Sequence, residues 1–165
     1  MEKLLPPAIM VVEESFKESL AFVLKHESNT YVSKDGIRGS SKIGILQSTA
    51  REYGYKGDIK NLTREEAEAI YKQIWVKSGS SELPYPLNTI HFDTYVNSPA
   101  AARKILAASD GNVALYLEMR SQRYHRLAQR RPMVYGKYLT GWMERISHLK
   151  MIASSSVSRP SESEA

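Results

Sequence analysis

Glu27 is the residue whose type and position best suit acid–base chemistry. It follows an apolar, helix-periodic stretch that ends near His26, so its carboxyl group is expected at the partly buried end of a helix. Desolvation there raises the pKa of a carboxyl group, and a protonated carboxyl can give its proton to the leaving oxygen of a glycoside. The alternative is an ordinary exposed glutamate at a helix end. His26 is expected to point away from Glu27 into solvent.

A glycosidase also needs a second carboxylate, or an oriented water, across the sugar. Asp35 is the candidate because it lies eight residues after Glu27, in an Asp-Gly pair that can fold a hairpin over the helix end. Asp-Gly is equally favoured in a tight turn without any chemistry. Ser41 could hold the water through its hydroxyl, or it is a loop serine. A Glu27–Asp35 separation of about 5 Å would indicate retention, and about 6.5 to 9.5 Å inversion.

Asp93 and Asn97 form the candidate substrate-binding pair. They are four residues apart on one face of a predicted helix, from which they could hydrogen-bond sugar hydroxyl and acetamido groups in a groove. Alternatively, they cap and brace the turn that follows. Tyr31, Trp75 and Tyr95 could stack on sugar rings, although aromatic residues at these spacings are more often part of the core.

The composition is that of a soluble globular protein. The 165 residues suffice for one compact domain, and 42% hydrophobic and 25% charged residues lie close to the globular average. With no cysteine and four scattered histidines, the chain can form neither a disulfide framework nor a thiolate metal site. We expect no metal and no cofactor, and a monomer.

The formal net charge of +5 is concentrated in the C-terminal half. Residues 120–150 carry eight basic residues against the lone acid Glu144: Arg120, Arg123, Arg126, Arg130, Arg131, Lys137, Arg145 and Lys150. Such a face attracts polyanions, whether nucleic acid, an anionic membrane surface or an acidic cell wall, or it is simply a solvated helix face. Without aromatic-basic interleaving or a groove-reading motif, no nucleic-acid partner is expected.

The amino terminus does not resemble an export signal. Pro6, Pro7, Glu13 and Glu14 interrupt the apolar stretch that a signal peptide needs. No run approaches the roughly 18 apolar residues of a membrane span. We therefore expect synthesis in the cytoplasm and, for a substrate outside it, release by another protein.

Periodicity and turn residues predict a mainly helical fold with one small β-hairpin after the first long helix. Apolar residues at steps of three to four predict that helix over 11–25, and the segments 31–34 and 37–38 flank the turn at Asp35-Gly36. Further helices are predicted over 48–53 with Ser48 as N-cap and Gly54 as terminator, 63–77 with a Thr63–Glu66 capping box, 87–95, 99–109 with Ser98 as N-cap, 113–130 and 137–152.

The pattern predicts a single domain over 1–153, with a catalytic half over 10–80 and a helical half over 84–153. The polar tail over 154–165 is expected to be disordered. In the helix 113–130, Leu115, Met119 and Leu127 are expected to face inward and the arginines outward. The inward residues of the last helix are expected to be Leu139, Met143, Ile146 and Leu149.

Eight blocks of sequence resemble glycoside hydrolase family 108, a family of phage-type, lysozyme-like muramidases. They are FVLKHE at 22–27, YV at 31–32, GSSKIGILQ at 39–47, AREYG at 50–54, GDIKNLT at 57–63, LPYPL at 83–87, FDTYVN at 92–97 and GWMER at 141–145. The resemblance covers roughly residues 10 to 150, and its later blocks match the family's peptidoglycan-binding C-terminal half.

The resemblance implies an α+β lysozyme-like fold and an N-acetylmuramidase that cuts the β-1,4 bond between N-acetylmuramic acid and N-acetylglucosamine. Glu27 matches the family's catalytic glutamate, and Ser41 stands where the family has threonine. Tyr31 and Gln47 join the expected substrate-binding residues. The chain departs from the family pattern at 28–30, where the family has two glycines, and at 34–41, where it has Asp-Pro and Gly-Gly-x-Thr motifs.

The biological role implied by the resemblance is that of a phage endolysin acting on peptidoglycan glycan strands after holin-dependent release. Three alternatives remain open: a virion-borne lysozyme, a muramidase that assists secretion, and a non-catalytic wall-binding or virion structural module that lost its chemistry with the altered loop.

Overall fold

The structure, a computed structural model, describes residues 7–27, 30–33 and 39–156 and is mainly helical, as predicted. The helices are α1 Pro7–His26, α2 Gln47–Glu52, α3 Arg64–Lys77, α4 Leu87–Asn97, α5 Pro99–Ser109, α6 Val113–Arg130, α7 Pro132–Tyr135 and α8 Leu139–Ser156. Short 3-10 turns lie at Ile59–Asn61, Ser80–Glu82 and Gly136–Tyr138. The strands are β1 Tyr31–Val32, β2 Ser41–Lys42 and β3 Ile45–Leu46.

Within the described residues the sheet has three antiparallel strands in the order β1-β2-β3, one more than the predicted hairpin. β1 pairs with β2, which was not the predicted partner. The predicted strand 37–38 and the Asp35-Gly36 turn lie outside the described residues, so they stay predictions. Ile43 and Gly44 join β2 to β3 with φ values of 54° and 75°. Because isoleucine rarely adopts positive φ, the sequence carries no clear signal for this second turn.

Three helix starts differ from prediction, and that of α8 moves from 137 to Leu139, after the 3-10 turn Gly136–Tyr138. α1 begins at Pro7, because a proline in the first helical turn forfeits only an amide that has no intrahelical partner. α2 begins at Gln47 directly from β3, with Leu46 as an N-cap that makes no side-chain bond, so the prediction of Ser48 as cap is wrong. The terminator is confirmed, since Gly54 has a φ of 93°.

The starts of α3 and α5 are confirmed. Thr63 and Glu66 form a reciprocal capping box, and the Ser98 hydroxyl accepts a hydrogen bond from the Ala101 amide ahead of Pro99. The buried residues of α3 are Ala67, Ile70, Tyr71, Ile74 and Trp75.

α4 is the central helix and contributes to both hydrophobic clusters. All nine residues from Leu87 to Tyr95 are buried. Phe92 and Tyr95 join the cluster formed with α1, α3 and the sheet, whereas Leu87 and Ile90 join the one formed with α5, α6 and α8. Any polar side chain on α4 must therefore find its partners inside the protein.

The predicted inward face of α6 is wrong for Leu115, which is 41% exposed, whereas Met119 packs against the core and Leu127 is half-buried. The buried residues of the helix are Tyr116, Leu117, Arg120, Ser121, Tyr124 and Ala128. The helix is rotated relative to the prediction because an arginine, Arg120, faces the core. An apolar periodicity cannot indicate a buried charge.

α8 buries Ile146 and Leu149 as predicted, whereas Leu139 and Met143 are half-buried. The helix continues to Ser156, into the first residues of the predicted tail, and residues 157–165 lie outside the described part. Among the helices of the described ranges, none combines the length and the apolar character that a bilayer span requires.

Candidate active site

Glu27 lies directly after α1, where the chain leaves the helix for the sheet. Its side chain is 26% exposed, and its Oε1 accepts a hydrogen bond of 2.8 Å from Nη1 of Arg145 on α8. A guanidinium at this distance favours the ionised carboxylate. The acid chemistry of Glu27 therefore depends on this ion pair as well as on the burial expected from the sequence.

The β2–β3 turn packs against the same side chain. A Cβ atom added to Gly44 would lie 2.6 Å from Glu27 Cγ and 2.6 Å from the Tyr71 hydroxyl. The Tyr71 hydroxyl donates a 2.7 Å hydrogen bond to the Ile43 carbonyl, and burial together with the Glu27 carboxylate raises the pKa of Tyr71. Tyr71 thus stays protonated and ties the turn to α3, and only glycine fits beside Glu27.

Arg145 is fixed by Asp93 of α4. Arg145 Nη2 donates to Asp93 Oδ1 at 2.6 Å, and Nε lies 3.0 and 3.1 Å from the two carboxylate oxygens. This fork uses two of the three guanidinium nitrogens and leaves Nη1 for Glu27. The geometry is the bidentate arrangement in which arginine orients a carboxylate most strongly.

A second arginine completes the cluster. Arg120 of α6 donates from Nη1 to Asp93 Oδ2 at 2.7 Å, and its Nε and Nη2 donate to the Tyr124 hydroxyl at 3.2 and 2.9 Å. Burial opposes ionisation of Asp93, but Arg145 and Arg120 hold the pKa of that carboxyl below its usual value. Asp93 therefore stays charged, and the chain of contacts runs from Glu27 through Arg145, Asp93 and Arg120 to Tyr124.

Glu27 opens onto a groove of about 580 Å³ that also contains Asn97 and Arg145. Four aromatic side chains line it: Tyr124, Tyr135, Tyr138 and Trp142. Trp142 is central, because its ring stacks on Tyr124 with centroids 4.5 Å apart and on Tyr138 with centroids 5.7 Å apart. We call this cavity the aromatic groove.

A small recess of about 60 Å³ lies on the sheet side of Glu27. Gly44, Thr49, Tyr71 and Asn97 are among its lining residues. At roughly 30 Å³ for each water molecule, the recess has room for about two, with several polar groups to bind them. Glu27 and Asn97 line both cavities, so both side chains stand between the recess and the aromatic groove.

The structure places the two residues of the predicted pair on α4, Asp93 and Asn97, in different surroundings. Asn97 lines the groove, which agrees with its predicted place. The prediction that Asp93 faces the groove is wrong, because Asp93 is 0% exposed and both of its oxygens accept from buried arginines. Their helical spacing is as expected, but the helix turns Asp93 into the core.

Three other predicted residues lie elsewhere. Gln47 braces the chain after α2, since its amide nitrogen donates to the Gly57 carbonyl and its oxygen accepts from the Ile59 amide. Ser41 is buried in β2, and Tyr31 in β1 is half-buried with the Lys60 ammonium 5.5 Å from its ring centroid. All three support the sheet and its neighbours. Asp35 lies outside the described residues, so its predicted role stays a prediction.

The other aromatic and histidine predictions are also resolved. Trp75 and Tyr95 are buried in the core, which was the alternative to sugar stacking. His26 is not freely exposed as expected: it is half-buried, with its Nε2 atom 3.2 Å from Nδ1 of His148 and its ring 4.6 Å from Phe22. Burial and the charge of Arg145 lower the pKa of His26.

The residues that sequence reasoning missed come from α6 and α8. Arg145 and Trp142 stand in the GWMER block, which was singled out without a role for either. A stronger signal was Asp93 itself, because a lone acid within the apolar sequence IHFDTYV needs a buried cation. Arg120 and Arg145 are therefore not part of the basic surface predicted over residues 120–150, which consists of the other basic residues of that segment.

The arrangement can bind and act on an uncharged or acidic polymer laid across Glu27. Within the described residues, Glu27 is the one carboxylate that lines either cavity. No three potential metal-ligating side chains come together in that part of the chain.

Comparisons with known proteins identify a matching family and a similar fold. Residues 20–98 match the family described as Glycosyl hydrolase 108. A solved structure titled "Structure of Brucella abortus SagA" is similar to the chain, with a TM-score of 0.65 and 22% identity, covering 90% of this chain and 98% of that one. No curated protein sequence matches. The family match contains Glu27 and Asp93 but ends before both arginines, whereas the shared fold extends over most of the chain.

Proposed function

We propose that the chain, a muramidase-type, peptidoglycan-degrading glycoside hydrolase whose residues 20–98 match glycosyl hydrolase family 108, cuts the β-1,4 bond after N-acetylmuramic acid. Glu27 acts as the general acid. The observation that carries this proposal is the position of Glu27 between the recess and the aromatic groove, fixed by Arg145 and by Gly44.

Substrate binding prepares Glu27 for proton transfer. A sugar seated in the aromatic groove covers the exposed quarter of the Glu27 side chain, and desolvation of a carboxylate favours its protonated form. Arg145 is already committed to Asp93 by three contacts, so its charge is shared between two carboxylates. Glu27 can therefore take up a proton while Arg145 keeps its partner and its place.

The groove supplies the chemistry that saccharides need. Apolar faces of sugar rings pack on aromatic rings, and the aromatic groove offers four of them, with Trp142 stacked on both Tyr124 and Tyr138. The Asn97 amide offers both a donor and an acceptor beside Glu27, which suits an acetamido group. Asp35 remains the proposed second carboxylate, and the recess beside Glu27 the proposed place for an ordered water.

The acid role is tested by Glu27→Gln, which keeps the shape of the side chain and removes the transferable proton. We expect its kcat for clearing purified peptidoglycan to fall by about 10²- to 10⁴-fold, the usual contribution of a general acid. Glu18→Gln is the matched control, because it makes the same change at an exposed position of α1. Equal clearing by the Glu27 variant would refute the assignment.

The bond specificity is tested by mass spectrometry of the released fragments. We expect new reducing ends on muramic acid. Reducing ends on N-acetylglucosamine would overturn the bond assignment, and cleavage of peptide amides would overturn the reaction class.

The cellular setting that we propose is host lysis by an endolysin released from the cytoplasm by a holin. Co-expression in a bacterial host should then give lysis only when both proteins are present. Lysis without the holin would favour the secretion role or another route to the wall. Wall binding without any clearing in vitro would favour the non-catalytic module.

A further inference from the structure

A second groove runs between α5 and α6 and adjoins the aromatic groove. Its volume is about 510 Å³. The two cavities share Ser98, Arg123 and Leu127 as lining residues. The two grooves therefore meet at these three residues, and a ligand bound beside Glu27 can extend across them onto α6.

The α5–α6 groove is cationic. Lys104 of α5 and three arginines of α6, namely Arg123, Arg126 and Arg130, line it, and the described residues at its surface include no acid. The three arginines recur at steps of three and four, which places them on one face of α6. Arg120, on the same helix, points inward to Asp93 and adds nothing to this surface.

The floor of this groove is apolar. Ile105 is buried, Met119 and Leu127 are half-buried, and Ala101 and Ala108 of α5 complete the surface between the cations. A ligand that fits must combine negative charges with small apolar groups. A short acidic peptide rich in alanine has this composition, whereas a phosphate polymer offers the charges without the methyl groups.

We propose that the α5–α6 groove binds the acidic stem peptide of the muramic acid held in the aromatic groove. This inference rests on the proposed function. Each muramic acid of peptidoglycan carries its peptide through a lactyl group, so the peptide leaves the glycan at the sugar next to the scissile bond. Its carboxylates face Arg126, Arg130 and Lys104, and its alanine methyl groups lie on the apolar floor. The enzyme is therefore selective for glycan that still carries its peptides.

The test compares two forms of one substrate: peptidoglycan with intact stem peptides, and the same glycan after an amidase has removed them. We expect the wild type to have the higher kcat/KM on the peptide-bearing form. Arg126→Gln/Arg130→Gln should lower that value by about five- to tenfold, because exposed charge pairs contribute modestly, and leave cleavage of the bare glycan unchanged.

Arg51→Gln/Lys56→Gln is the matched control, since it removes two exposed charges remote from both grooves. It should leave the preference intact. The inference is overturned if the Arg126/Arg130 variant loses activity equally on both substrates, or if both double variants behave alike. Either result would mean that only general electrostatic attraction to the wall is involved.

A binding measurement separates this inference from the proposed function. Glu27→Gln is titrated with a soluble disaccharide that carries its stem peptide and with the same disaccharide lacking it. Tighter binding of the first, lost in Glu27→Gln/Arg126→Gln/Arg130→Gln, supports the stem-peptide site even if the wild type cuts nothing. If the wild type cleaves the glycan but both ligands bind equally, the proposed function stands and the stem-peptide site is refuted. Equally tight binding of a short polyphosphate would show an unselective polyanion surface and sink it too.

Discussion

Two kinds of contact hold Glu27, and they differ in physical character. From the sheet, Gly44 touches its side chain and leaves no room for another carbon atom. From the helices, Arg145 reaches it with a charged hydrogen bond and is itself fixed by Asp93 and, through Asp93, by Arg120. The sheet contact depends on shape, whereas the helix contact depends on charge.

The difference decides how each contact can fail. A shape contact is disturbed by an added atom, and the surroundings can relax a little to reduce the strain. Small structural shifts cannot relieve the loss of a partner by a buried charge, because the desolvation of the remaining ion is no longer compensated. We therefore expect the helix contact to carry the larger penalties for stability, and the sheet contact to act mainly on the geometry of Glu27.

The largest effect should come from Asp93→Asn, which preserves shape and removes the charge. Arg120 would remain buried without its counter-ion and Arg145 would keep only Glu27, so we expect the free energy of unfolding to fall by about 3 to 5 kcal/mol. Urea denaturation measures this. Glu52→Gln is the control, because Glu52 and Lys77 form an exposed pair at 3.1 Å and should lose about 0 to 1 kcal/mol. Similar losses in the two variants would show that the buried cluster has no special weight.

A smaller effect on stability, but a large one on activity, is expected for Gly44→Ala. Alanine at a φ of 75° costs about 1 to 2 kcal/mol, and its methyl group would in addition press on Glu27 Cγ. Gly79→Ala is the matched control, since Gly79 has a φ of 78° with no atom within 4 Å of an added Cβ.

Both glycine variants should therefore be destabilised, but only Gly44→Ala should lose most of its peptidoglycan clearing. If the Gly79 variant, at a similar loss of stability, loses as much activity as the Gly44 variant, the contact between Gly44 and Glu27 has no special role in positioning Glu27. Thermal unfolding and turbidity assays on the same preparations decide this.

The sheet side of the site was predictable in outline. Asp-Gly punctuation and the GSSKIGILQ block indicated a hairpin after α1, and the capping residues fixed α3 within a residue. What could not be predicted is the turn at Ile43-Gly44, because isoleucine at positive φ is stabilised only by its surroundings, here the Tyr71 hydroxyl on its carbonyl. The tertiary contact overrides the local preference.

The helix side was predictable as helices but not as a site. Periodicity placed α6 to the residue and α8 within four residues, yet it assigned the arginines to solvent. Charge is normally a mark of exposure, and only the pairing of Arg120 and Arg145 with Asp93 reverses that rule. Arg120 lies 27 positions after Asp93 in the sequence, and Arg145 lies 52 positions after it. Local sequence patterns carry no information about contacts at such separations.

The smallest expected effect is the pH dependence of stability, which distinguishes two buried polar residues of α4, the charged Asp93 and the neutral His91. His91 is buried, with Nδ1 2.8 Å from the Tyr116 hydroxyl and Nε2 3.1 Å from the Ser78 carbonyl oxygen. Burial lowers the pKa of His91, against a smaller opposing effect of the Ser78 carbonyl. The folded protein thus keeps His91 neutral at a pH where the unfolded chain, with a histidine pKa near 6.5, binds a proton.

Stability should therefore decrease as the pH falls from about 7 to 5, by up to about 1.4 kcal/mol per pH unit for His91. Asp93 has the opposite window: its lowered pKa keeps its contribution intact above about pH 4 and loses it only in stronger acid. His91→Gln should flatten the slope between pH 7 and 5 but not abolish it, since the pKa of half-buried His26 is lowered too. His125→Gln, at an exposed position of α6, should leave the slope unchanged. An unaltered slope in the His91 variant would mean that His91 does not contribute to the loss of stability between pH 7 and 5, and the distinction drawn here between His91 and Asp93 would be wrong.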